Sequence, residues 1–132
     1  MTKEHLSERE LTYARLGEAV VTGRLTEWRS RGGSFGDETH REWQWLLDER
    51  PLTVEDENGA RYVLPTDNAL LERLERGQFV EFERASATTW RARVSTYYSH
   101  HLGSVSSEYD ITIDTARAHA RVVVRSSDVD ID

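Results

Sequence analysis

Residues 52–84 read LTVEDENGARYVLP, TDNALLERLERG and QFVEFER. Their order decides the fold class: a hairpin, a short capped helix and another strand. Asn58-Gly59 between two β-rich runs is the strongest short-range hairpin signal. A two-residue turn there pairs Val54 with Val63 and sets Glu55 against Tyr62. A three-residue loop, Glu57-Asn58-Gly59, pairs Val54 with Tyr62, Leu52 with Leu64, and Glu55 with Arg61. The second register makes one face apolar and the other salt-bridged, and puts Gly59 at the left-handed position such loops need. It is the preferred reading.

Pro65 ends the strand. Thr66 or Asp67 can cap a helix of about residues 67–76, closed by Gly77. Leu70, Leu71 and Leu74 give that helix one apolar side, and Glu72 with Arg76 pairs on its wet side. Val80 and Phe82 then alternate with Glu81 and Glu83, as in a half-buried strand.

Outward from this centre, Ser7 and Glu10 have capping-box spacing. They predict an N-terminal helical segment within residues 1–17, ended by Gly17, with a thin apolar stripe of Leu11 and Ala14. Residues 18–28 read as the first strand, with Gly23 the site of a bend or bulge. SRGGSFG (30–36) reads as a loop. It lacks the GK[ST] ending of a phosphate loop. Residues 39–50 fit a strand, with Trp43, Trp45 and Leu47 on one face, or a helix; aromatic content favours the strand. Residues 88–98 read as a strand whose hairpin sets Phe82 against Trp90 and Glu81 against Arg91. SHHLGSVSS (99–107) reads as a polar loop. Residues 108–125 read as a last hairpin, with Tyr109, Ile111 and Ile113 facing Val122, Ala120 and Ala118. Residues 126–132 are expected as a frayed acidic tail.

The chain has 132 residues, a net charge of −7 and no cysteine. Its length suits one domain, residues 1–132, with a β-rich core over residues 18–125. Without cysteine there is no disulfide scaffold, thiolate zinc site or cysteine catalysis. No run of about 18 apolar residues is present, so no membrane span and no membrane partner is expected. The polar start MTKEHLSERE lacks the apolar core of a signal peptide, and the expected location is cytoplasmic. The negative charge disfavours generic binding to nucleic acid through bulk field, though it leaves room for a local basic groove.

The strand order, with a helix between strands 3 and 4 and an added C-terminal hairpin, resembles the OB-fold, a small five-stranded antiparallel barrel. VTGRLTEW (21–28) is similar to the glycine-bearing first strand of such domains, and LTVEDENGARYVL (52–64) to their strand 2–3 hairpin. The fold class expected is therefore mainly β, a small barrel with two short helices. The last hairpin equally suits another small barrel or an α+β layer. OB-folds bind oligonucleotides or oligosaccharides on the strand 2–3 face and adjacent loops. The resemblance thus implies a ligand site of Arg29, Arg31, Phe35, Trp43, Trp45, Arg61 and Tyr62, by analogy of fold.

Aromatics interleaved with arginines suit single-stranded nucleic acid, whose bases stack on rings. The same rings also serve a core, and the arginines have acidic neighbours to pair with. His100-His101, with Glu108 and Asp110 nearby, is the one arrangement resembling a metal site, but the spacing is not that of a ligand pair, and exposed loop histidines are the expected reading. There is no nucleophile elbow and no Ser-His-Asp spacing, and the carboxylates at 48–57 cluster at turns. No catalytic residue, metal or cofactor is expected. The function expected is non-catalytic binding of single-stranded nucleic acid or another oligomeric ligand. The alternative is an adaptor or immunity-type protein that engages a basic protein partner through its acidic surface.

Overall fold

The computed structural model describes residues 3–32, 36–100 and 103–130. Among the described residues, nine strands and one helix follow in the order β1 (Lys3–Leu16), β2 (Ala19–Gly32), β3 (Gly36–Leu47), β4 (Arg50–Pro51), β5 (Thr53–Asp56), α1 (Asn68–Glu75), β6 (Glu83–Arg84), β7 (Thr89–His100), β8 (Gly103–Asp114) and β9 (His119–Asp130). They form two sheets, β1-β2-β3-β4 and β5-β9-β8-β7-β6. Each is built on a three-stranded antiparallel meander, and β5 adds to β9 in parallel. The fold is mainly β. Neither sheet closes on itself among the described residues, so the structure shows two open sheets and does not establish the expected small barrel.

The inner halves of the long strands share one apolar core. Tyr13, Val21, Trp45 and Leu47 from the first sheet meet Val54, Val94, Ile111, Ile113 and Val122 from the second. Leu70 and Leu74 of α1 close it, and each buried leucine contributes roughly 1.5–3 kcal/mol. The outer halves of the strands run past this core as two three-stranded arms.

The central stretch keeps the expected hairpin register and helix, but residues 60–64 form only a bridge at Arg61. The strand expected from Val80 to Glu83 reduces to a Val80 bridge to Ala14 and the two-residue β6. The Tyr62 N–H donates to the Val54 carbonyl at 2.9 Å and the Asp56 N–H to Ala60 at 2.8 Å, and Glu55 bridges Arg61. This is the three-residue-loop register, with Gly59 at φ +82°. The Asp56 carboxylate accepts from the Asn58 and Ala60 N–H groups and holds the turn. Asp67 caps α1 by accepting from the Leu70 N–H at 2.8 Å, and Gly77 follows its end at φ +78°. The helix occupies the residues expected of it, but it follows a fifth strand rather than a third, because residues 3–16 form β1 and Leu52 separates β4 from β5.

The N-terminal helix is not formed; those residues are β1. A helix would have buried only a thin stripe. Pairing with β2 across a Gly17-Glu18 turn instead buries Tyr13, Ala14 and Leu16. The ladder shifts register between His5 and Ser7 and between Thr12 and Ala14, both on β1; opposite Gly23 it is regular. The expected loops at 30–36 and 99–107 are mostly strand, since Gly32 pairs with Gly36 and His100 with Gly103. Strand is also the outcome for residues 39–47, which belong to β3. Two expected registers move by two residues: Glu83 pairs with Arg91, and Ile111 with Val122. Residues 126–130, expected to fray, pair with β8 as the end of β9.

Candidate functional site

The two sheets part at Leu52. The chain leaves β3's side at β4 and joins β9 as β5, so a cleft of about 590 Å³ opens between them. A cleft of this size falls within the range that holds small ligands. Glu42, Trp43, Gln44 and Trp45 of β3 form one wall; Arg61, Tyr62 and Val63 form the other, and residues 51–55 form the floor.

Strand parity puts Trp43 and Trp45 on one face of β3. Their rings stack with centroids 5.6 Å apart and planes at 16°. Trp45 is buried and meets Tyr13 edge-on at 4.5 Å, so its indole is held by the core while Trp43 stays half-exposed. Tyr62 is carried by the hairpin and lies 6.5 Å from the Tyr109 ring. Burial, then the Tyr109 hydroxyl and the Asp56 carboxylate, push its pKa up to about 12. Val63 at the rim is 58% exposed, unusual for a valine beside a core.

Three charges line the cleft. Glu55 pairs with Arg61 across the hairpin backbone as expected, while its carboxylate turns to His119 on β9, with Oε2 3.0 Å from Nε2. Among the described residues, Glu42 and Arg61 make no ion pair.

Four of the seven residues expected as a site, Trp43, Trp45, Arg61 and Tyr62, therefore line one cavity. Arg29 and Arg31 do not. They sit at the far end of β2 opposite Thr39 and Asp37, and Arg31 pairs with Glu4 at 3.2 Å. Arg31 is six residues along β2 from Leu25, the partner of Trp43, or about 20 Å. Phe35 lies outside the described residues. Glu42, Gln44 and Val63 were not singled out from the sequence, because only the parting of the sheets brings them to this cavity.

Of the other arginines that alternate with aromatics, Arg41 pairs with Glu27, and Arg93 with Glu108 and Asp110; elsewhere Arg24 pairs with Glu10, and Arg125 shares Asp110. No group of three His, Cys, Asp or Glu among the described residues is placed to hold a metal. His40 stacks on Trp28 at 5.4 Å and contacts Ser30 Oγ; His101 and the His100 side chain lie outside the described residues. Among the described residues no helix is long and apolar enough to cross a membrane. No protein-family model, curated protein or solved structure matches the chain.

Proposed function

We propose that the protein is a non-catalytic binding module that takes an oligomeric ligand in the cleft between β3 and the 59–63 segment. The observation that carries this reading is the stacked Trp43–Trp45 pair facing Tyr62 and Arg61 across one cavity. Stacked indoles held by a core are a preorganised apolar platform, and ordering them costs the ligand little. Single-stranded nucleic acid is the less supported ligand. The cleft has rings for stacking, but Glu42 and Glu55 line it and Arg61 is the only cation among its described lining residues.

The net charge of −7 favours a second reading, an adaptor that meets a basic protein through its acidic surface. That reading predicts binding that weakens with salt and does not depend on Trp43.

Tryptophan fluorescence separates them. The protein is titrated with a short single-stranded oligonucleotide, an oligosaccharide mixture and peptides, at low and moderate salt. Binding in the cleft gives a saturable change that Trp43→Ala weakens at least tenfold and Arg31→Ala leaves intact. Binding that survives Trp43→Ala but is lost in Arg31→Ala removes the cleft as the site.

A further inference from the structure

We infer that the cleft ligand is an extended polypeptide segment that adds as a strand to the open edge of β3, with a basic side chain toward Glu42 and an acidic one toward Arg61. The inference rests on the cleft being the binding site, and goes beyond that reading by naming the ligand class.

The edge is readable from one bond. The Leu52 N–H donates to the Trp45 carbonyl at 2.9 Å, so the backbone of Trp45 points away from β2. In an antiparallel ladder the outward-facing residues alternate. Trp43, Arg41, Thr39 and Asp37 therefore also turn their N–H and C=O groups outward. β4 ends at Pro51 and covers only the Leu46 and Leu47 positions. Beyond it, no backbone group among the described residues pairs with that edge. An unpaired row of donors and acceptors is a template for another strand.

The cleft lies beside this row, and its charges choose the occupant. An oligonucleotide would bring phosphates against Glu42 and Glu55. A neutral sugar would leave both Glu42 and Arg61 without a counter-charge, although each is exposed and free of ion pairs among the described residues. An extended peptide satisfies the edge at the strand repeat of about 3.3 Å and sends side chains alternately to the indole face and to the Glu42 face. It can carry both charges, and an apolar side chain for exposed Val63.

The test is selection of a displayed library of random ten-residue peptides on the full chain, followed by fluorescence titration of the enriched peptides. Arg41→Pro removes one outward N–H and leaves the backbone bonds to β2 in place, a substitution edge strands tolerate. It also removes the exposed Arg41–Glu27 pair, for which Arg41→Ala, expected to bind as wild type, is the control. Enriched peptides are expected to bind Arg41→Pro at least tenfold more weakly. Selection on Glu42→Arg should enrich acidic residues, and on Arg61→Glu basic ones. If Arg41→Pro unfolds, the two charge reversals decide alone. Peptides that need Trp43 but ignore Arg41→Pro and both reversals overturn strand addition and leave the cleft reading standing. Failure to enrich any peptide, while an oligosaccharide or oligonucleotide gives Trp43-dependent quenching, overturns the peptide class only. No response to any of the three classes overturns both.

Discussion

Gly23 lies directly against the Trp43–Trp45 pair: a Cβ placed there would come 2.7 Å from Trp45 Cζ3 and 2.9 Å from Trp43 Cζ3. The glycine is the space in which the two rings stack. Gly23→Ala must therefore push both indoles off their positions. Overpacking of this kind costs about 1–3 kcal/mol. The expected result is a lower urea midpoint together with a changed near-ultraviolet circular dichroism of the coupled indoles. A variant with unchanged indole dichroism would show that the rings do not depend on this gap.

Tyr13 is fully buried, and its hydroxyl has no hydrogen-bond partner among the described residues. Burial also pushes its pKa well above the usual tyrosine value. A buried hydroxyl without a partner costs about 1–3 kcal/mol in desolvation. Tyr13→Phe keeps the 4.5 Å edge contact with Trp45 and removes that cost. It is expected to stabilise the protein by about 1 kcal/mol, read as a higher urea midpoint at unchanged slope. A destabilised variant would mean that the hydroxyl has a partner in solution.

The Asp67 side chain accepts from the Leu70 N–H at 2.8 Å and starts the helix that buries Leu70 and Leu74. Asp67→Ala leaves that donor without its cap, at a cost of about 0.5–2 kcal/mol. Asp67→Asn restores most of it, because the amide oxygen can accept the same bond. Thermal unfolding of the two variants side by side distinguishes loss of the cap from loss of the charge.

Some of this was legible in the sequence because its cause is local. The 52–64 register follows from Gly59 and the need to keep Val54 and Tyr62 on one side. The helix follows from Asp67, its leucines and Gly77. β1 was not legible: the Ser7–Glu10 spacing suits a helix start, and only pairing with β2, a non-local event, makes strand the better outcome. The arms were misread as loops for a related reason. Residues 30–32, 99–100 and 103–107 lie beyond the core, and so carry no apolar alternation to announce a strand. The aromatic half of the cleft could be named in advance. Its second wall depends on the chain crossing between sheets at Leu52, and the expected place of Arg29 and Arg31 beside Trp43 assumed a shorter β2.

Asp110 sits between two guanidiniums. The hydrogen bond from Arg125 is the main cause that holds its pKa below the usual carboxylate range; desolvation opposes it, and Arg93, at 3.2 Å, adds to the lowering. A depressed folded-state value stabilises the fold above the unfolded value of about 3.9, and that stability is lost as pH falls below it. The urea midpoint should therefore drop on acidification below about pH 4, and Asp110→Asn should flatten that part of the profile. The site is exposed, so the effect is small and shrinks with salt. A profile of the same shape in wild type and Asp110→Asn would remove Asp110 from the acid response.

Tyr62 gives the opposite sign at the alkaline end. Burial, with Tyr109 and Asp56 beside it, raises its pKa to about 12. The unfolded chain loses that proton near 10, so the contribution is fully present below about pH 10 and is lost as pH rises toward about 12. Tyr62→Phe should make the alkaline loss of stability shallower. The absorbance difference between wild type and Tyr62→Phe should develop near pH 12, and its appearance near pH 10 would place the hydroxyl in water. A ligand seated on Tyr62 buries it further and should push that titration higher still. The same difference spectrum, with an enriched peptide added, then reports on occupancy of the cleft without relying on the tryptophans.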